Sequence, residues 1–243
     1  MKMAQQGWDR QSIIETARGF RRTAVLIAAA ELDVFSEIGS DSLTAEQIAQ
    51  RMDCNHRAMA VLLDALAAMG LIEKTQLCYS LPEPTRRYLC GDLDENVLAT
   101  VRLQGNCIRR WVQLDRVVKS GQPAQRRISV RGSDGDMAAF IEAMHLINHD
   151  TAGKVWDKFF EHFRGRQFSH LLDIGGATGT WSMEFLRKQP RAKATLYDLP
   201  DVIEMARDRI KAEGFAGQIE PAAGDYEQDT ELPGGADVAL LSA

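Results

Sequence analysis

Three aspartates have the type and spacing to do chemistry together. Asp173 is next to last in "HLLDI", Asp198 closes "KATLYD" and Asp225 follows "QIEPAAG". Each stands at the end of a short segment with strand character. Asp173 runs straight into Ile-Gly-Gly-Ala-Thr-Gly, the loop 175–179, and a helical pattern begins just after it. Glycine at such a seam lets the backbone take positive φ and approach a ligand closely. The Gly-x-Gly-x-x-Gly fingerprint of nicotinamide binders does not fit. With its last two glycines on Gly176 and Gly179, Ile174 occupies the place of the first. The acid before the loop would also repel a pyrophosphate, whereas it would attract an ammonium group. Taken singly, an Asp at a strand end is usually a turn or cap residue. Three of them on one rim, with a glycine loop, form a stronger pattern.

That pattern predicts a ligand with a positive amino group at Asp173, two ribose hydroxyls at Asp198 and an adenine amino group at Asp225. S-adenosylmethionine has all three. Around the acids, strands alternate with helices: "TWSMEFLRKQ" up to Pro190, "PDVIEMARDRIKAEG" up to Gly214, and a fourth strand in "ADVALLSA". This order predicts a parallel α/β sheet with its ligand beyond the carboxyl ends of the strands.

The first half reads differently. Residues 11–38 carry apolar side chains at three- and four-residue spacing, as in a single helical stretch. Thr44 with Gln47 forms a capping-box pattern ahead of "AEQIAQRM". Asn55 caps "HRAMAVLLDALAAMG", which Gly70 ends, and "LIEKTQLCYSL" reads as a small hairpin. Together these make a winged-helix unit. Its second helix offers Asn55, His56 and Arg57 at the start, and Asp64 is the only charge from Ala58 to Met69. A DNA-reading helix needs polar and basic side chains facing outward. A helix apolar nearly all round is buried, in its own core or against another subunit, so association is favoured over DNA binding. Residues 96–165 are predicted to be mainly helical, broken at "KSGQPAQRR" and "RGSDGD". Phe140, Met144 and Asn148 lie four apart and share a face, which by periodicity alone is a core stripe.

The 243 residues, 45% hydrophobic with a net charge of −5, suit one large or two modest domains of a soluble protein. Mild acidity gives no reason to expect nucleic acid or an anionic membrane as partner. "MKMAQQGWDRQ" lacks the apolar core of a signal peptide. Cys54, Cys78, Cys90 and Cys107 form no C-x-x-C pair, and a cytoplasmic protein with reduced thiols and no metal site is expected.

On "LTAEQIAQRM", "AVLLDALAAMGLIEK", "AMHLINHDTAGKVWDKF", "LLDIGGATGTW", "LYDLPDVIEMA" and "GDYEQDTELPGGADVALLSA", the sequence resembles the S-adenosylmethionine-dependent O-methyltransferases of the caffeate and acetylserotonin type, including bacterial enzymes of secondary metabolism. The resemblance runs along almost the whole chain. It implies a winged-helix dimerisation domain (1–95), connecting helices that contribute to a substrate pocket (96–165), and a partial Rossmann-like class I methyltransferase domain (166–243). It implies a homodimer with interleaved N-terminal helices. It also implies that Asp173, Gly175 and Gly176 line the methionine end, that Asp198 and Leu199 hold the ribose, and that Asp225 and Tyr226 flank the adenine, with Ser242 nearby. Phe140, Met144 and Asn148 match the family's pocket helix, and Trp111 matches an aromatic facing the same cavity. The implied reaction is methyl transfer to a hydroxyl, by resemblance a phenolic one, of a small molecule.

One departure matters. The family's general-base His follows the fourth strand, and this sequence stops at Ala243. His56, His145, His149, His162 and His170 all precede the glycine loop, and none matches that position. The chain is therefore expected to be truncated at its C-terminus, with its base and further strands missing. The alternatives are a cofactor-binding relative that performs C-methylation or hydroxylation, or a non-catalytic dimerising or regulatory module.

Overall fold

The computed structural model describes residues 7–91 and 95–242. The first six residues of the leader reading, and Ala243, at which the truncation was placed, lie outside the described residues. Two compact units result, 1–139 and 140–243. The boundary falls inside one long helix, so the connecting region expected at 96–165 is divided between the units rather than forming a body of its own.

The expected single stretch 11–38 is three helices: α1 (Arg10–Arg18), α2 (Phe20–Leu32) and α3 (Val34–Ile38). Asp33 ends α2 in the left-handed region, at φ +65°, and so breaks a periodicity that continues across it. Strand β1 (Leu43–Thr44), α4 (Ala45–Arg51), α5 (His56–Ala68), β2 (Glu73–Thr75) and β3 (Cys78–Ser80) follow. The strands form an antiparallel sheet in the order β1-β3-β2, which is the wing. Thr44 and Gln47 make the capping box and Asn55 caps α5. Only one stripe of α5 is buried, through Met59, Leu63 and Leu66, while Val61 is 65% exposed. The apolar helix is thus half covered within its own chain, not buried all round. Asp64 faces the wing, where it accepts hydrogen bonds from Lys74 and from the Tyr79 hydroxyl.

Next come α6 (Glu83–Leu89), α7 (Leu98–Trp111), α8 (Leu114–Ser120) and α9 (Gly132–His162). The break expected at "RGSDGD" is instead the first turn of α9. Asp136 makes the reason plain: it is buried, accepts a hydrogen bond from the Ser129 N–H and pairs with Arg109 of α7.

The second unit contains β4 (His170–Ile174), α10 (Thr180–Lys188), β5 (Lys193–Asp198), α11 (Pro200–Ala212), β6 (Ile219–Ala223) and β7 (Val238–Leu241). All strand pairs are parallel, in the order β6-β5-β4-β7. The order reverses between β4 and β7, and ligands of such sheets bind in the crevice at this switch point. Leu171, Phe185, Leu196, Ile203 and Trp156 form the core beneath it. Among the described residues, no helix is long and apolar enough to cross a membrane.

Candidate functional site

The loop after β4 is built from backbone that only small residues accept. Gly175 has φ +66°, Ala177 +52° and Gly179 +81°. Its entry is pinned by the Gly175 N–H donating to the Tyr197 carbonyl at 2.8 Å, and its turn is closed by the Gly179 N–H donating to the Gly176 carbonyl at 2.9 Å. Gly176 is needed for a different reason. A Cβ there would stand 2.5 Å from the Asp173 carboxyl carbon and 2.5 Å from a Leu196 methyl. The loop therefore lies directly on the Asp173 side chain.

Asp173 is wholly buried. One carboxylate oxygen, Oδ2, accepts hydrogen bonds from the Ser182 hydroxyl at 2.7 Å and the Ser182 N–H at 3.2 Å. Ser182 is the third residue of α10, and a carboxylate at a helix N-terminus meets both unpaired N–H groups and the positive end of the helix dipole. The other oxygen, Oδ1, is buried without a hydrogen-bond partner among the described residues. Burial raises the Asp173 carboxyl, the Ser182 hydrogen bonds pull it down and nearby Asp198 raises it, with the balance pushed up to about 6. The Asp173 side chain, expected at the methionine end, lies beneath the loop with Gly176 packed on its carboxyl.

Asp198, at the end of β5, reaches back to the same loop. Its Oδ2 accepts the Ala177 N–H at 2.8 Å and its Oδ1 accepts the Leu199 N–H at 2.7 Å. Each oxygen keeps a lone pair for a further donor. Leu199 is 47% exposed beside it and precedes Pro200, the first residue of α11. Asp225 lies two residues past β6 rather than on its last residue. It opens a turn in which it accepts from the Glu227 N–H at 3.0 Å and the Gln228 side chain at 2.7 Å. Tyr226 is 53% exposed and leans over the loop, since a methyl on Gly175 would lie 3.9 Å from its ring. Ser242 is half-buried just past β7. The eight residues expected to hold the cofactor thus belong to the carboxyl ends of β4, β5, β6 and β7.

Three supports were missed by sequence reasoning. One is Ser182, the partner of Asp173. The second is the Tyr197 hydroxyl, which donates to Asp229 and is pushed up to about 12 by that carboxylate. Asp229 also takes the Asp225 N–H at 3.1 Å, which fixes the turn. The third is His145, whose Nδ1 lies 2.8 Å from the Thr180 hydroxyl. None has a local signal, because each pairing joins residues 9 to 35 positions apart. The substrate residues divide between the units. Phe140, 43% exposed, and the partly buried Met144 and Asn148 sit on α9 in the second unit, while Trp111, 69% exposed, ends α7 in the first.

A parallel sheet with its glycine loop at the switch point and acids at or just past successive strand ends has the form of a doubly wound α/β domain, in which ligands sit at that crevice. Comparison with known proteins narrows the class. Residues 14–90 match an O-methyltransferase dimerisation domain and residues 128–243 match an O-methyltransferase domain. The chain belongs to this O-methyltransferase family. It is 30% identical over 230 residues to a human probable bifunctional dTTP/UTP pyrophosphatase/methyltransferase protein, covering 89% of this chain and 36% of that one. It is 27% identical to a Streptomyces sahachiroi 3-hydroxy-5-methyl-1-naphthoate 3-O-methyltransferase, covering 95% of this chain and 67% of that one. The solved structure of PigF with SAH superposes with a TM-score of 0.77 at 25% identity, covering 96% of this chain and 71% of that one. The chain therefore spans about a third of the human relative and about two thirds of the Streptomyces one.

Proposed function

We propose that this protein is an S-adenosylmethionine-dependent methyltransferase acting on a hydroxyl, of phenolic type, of a small molecule. The observation that carries the reading is the Asp173–Gly176 stack. An unpartnered carboxylate oxygen lies beneath a loop whose glycine a single methyl would obstruct. Such a cradle suits a ligand with an ammonium group that presses against backbone, as the methionine end of the cofactor does. The Asp198 carboxylate suits a ribose diol, and the Asp225–Tyr226 turn suits an adenine edge and face. The cofactor supplies an activated methyl group on a sulfonium. The chain's own residues bind and orient it: Gly175 and Gly176 by close approach, Asp173 by its charge, Asp198 and Leu199 at the ribose, Asp225 and Tyr226 at the base, and Ser242 at the rim. Phe140, Met144, Asn148 and Trp111 are proposed to shape the acceptor's cavity. The naphthoate relative gives the acceptor class its support. The matched dimerisation domain and the half-exposed α5 support a homodimer. A cytoplasmic location is part of the same reading, as is a functional division into an association region (1–95), a connecting region (96–165) that spans the boundary of the two compact units, and a cofactor region (166–243).

Calorimetric titration with S-adenosylhomocysteine tests it. The wild type is expected to bind, and Asp198→Ala to bind roughly tenfold more weakly, about 1.4 kcal/mol. Equal affinities in the two proteins would refute the ribose assignment. Transfer of labelled methyl to phenols and naphthols, with amines and carbon nucleophiles alongside, tests the acceptor. Label on the amines or carbon nucleophiles alone would overturn the hydroxyl reading.

A further inference from the structure

The exit of the glycine loop is gripped at three consecutive residues. Ser182 is held by Asp173 from β4. The Trp181 carbonyl accepts the Trp156 indole N–H of α9 at 3.0 Å. Thr180, only 5% exposed, meets His145 of α9 at 2.8 Å. Thr180 directly follows Gly179, the loop's last residue, which gives α10 no side-chain cap. Helix α9 runs alongside α10 through further contacts. His149 lies one turn after His145, with its Nε2 3.6 Å from Glu184, one turn after Thr180. Gly153 lets the helices meet, since a Cβ there would stand 3.3 Å from the Glu184 carboxylate.

The surroundings of His145 disfavour its charged form. Burial lowers its pKa first, and Arg209 lowers it further, although Glu142 pulls the other way. Arg209 itself grips Glu142 of α9 through both carboxylate oxygens, at 2.9 and 2.7 Å. A neutral imidazole can bond the Thr180 hydroxyl as donor or as acceptor. On the neighbouring face the same helix carries Phe140, Met144 and Asn148, and His145 adjoins Met144 in sequence.

We propose that His145 is a positioning residue: its hydrogen bond to Thr180 fixes the exit of the cofactor loop against the helix that carries the substrate side chains. The proposal rests on the cofactor reading above. It assigns the bond a role in holding the two substrates in register, which is where orientation contributes to transfer rates. A bond that served stability alone predicts a lower melting temperature and an unchanged affinity.

The test uses four variants of the chain. His145→Phe keeps the ring volume and removes the bond, and Thr180→Val removes it from the other side. His145→Asn keeps a hydrogen-bonding atom near the Nδ1 position. The double variant His145→Phe/Thr180→Val completes the cycle. S-adenosylhomocysteine binding is read by calorimetry and thermal unfolding in parallel. Each single variant is expected to raise Kd three- to tenfold, the double variant to do no more than either alone, and His145→Asn to return within twofold of wild type. Wild-type affinity in both single variants, or multiplying effects in the double variant, overturns the proposal. If His145→Phe fails to fold, Thr180→Val against wild type decides the matter in the same way. A wild type that does not bind the ligand overturns the cofactor reading itself, and this proposal with it. Binding by wild type and unaltered binding by the variants overturns this one alone.

Discussion

Two helices of this molecule begin in opposite ways. Helix α4 caps itself: Thr44 accepts the Gln47 N–H at 3.2 Å, and the Gln47 side chain accepts the Thr44 N–H at 2.8 Å. Helix α10 has a glycine at its N-cap and takes its support from elsewhere, from Asp173 of β4 below and His145 of α9 beside it. The difference follows from what each end faces. The α4 terminus has only to satisfy its own backbone, so the shortest solution, three residues long, suffices. The α10 terminus adjoins the loop proposed to receive the cofactor, and a capping side chain at Gly179 would also require φ +81° of a residue with a Cβ. Outsourced caps leave the approach clear, and they tie the helix to the strand and the helix that frame the site.

Asp173 carries the largest expected effect. Its carboxyl is raised from 3.8 to about 6 in the folded state. The folded protein therefore binds a proton more tightly than the unfolded chain. The stabilisation is fully present below about pH 4 and is lost as pH rises through 6. The stability of wild type relative to Asp173→Asn is expected to fall by about 2–3 kcal/mol between pH 4 and pH 7, read from denaturant unfolding across that range. A pH-independent difference would mean that the buried oxygen is not the lone group it looks to be. A bound ammonium favours the charged form, so ligand binding near pH 6 is expected to release a proton. Calorimetry in buffers of different ionisation enthalpy detects that release, and equal heats in all of them count against it.

Gly176→Ala comes next. The added methyl must displace either the Asp173 carboxyl or Leu196. A cost of about 2 kcal/mol is expected from overpacking, together with loss of measurable ligand binding. A variant that binds normally would show that the loop can lift off its support. The smallest effect sharpens the contrast from the other side. Thr44→Ala is expected to cost about 1 kcal/mol in denaturant unfolding and to leave ligand affinity unchanged, because its cap serves only its own helix. A change in affinity there would contradict the local character given to it.

Much of this was legible in the sequence. The capping box, the Asn55 cap, the hairpin and the alternation of strands with helices all depend on residues within a few positions of one another, and all are present. The three acids and the glycine loop were legible by spacing. What misled was continuity of pattern. The apolar rhythm of residues 11–38 runs through Asp33, where the backbone turns left-handed. The polar run "RGSDGD" looked like a break, yet Asp136 is buried there against Arg109 from another helix.

The sequence alone determined most of the elements, their order and the placing of the acids and the glycine loop at strand ends, because propensity, capping and strand-end chemistry are written in near neighbours. Only the tertiary structure decided which way those residues act. It buried Asp173 beneath the glycine loop, gave α10 caps from β4 and α9, and joined Tyr197 to Asp229. Those pairings depend on parallel strands and a long helix bringing distant positions within about 3 Å, and hydrogen bonds of that length leave no trace in local spacing.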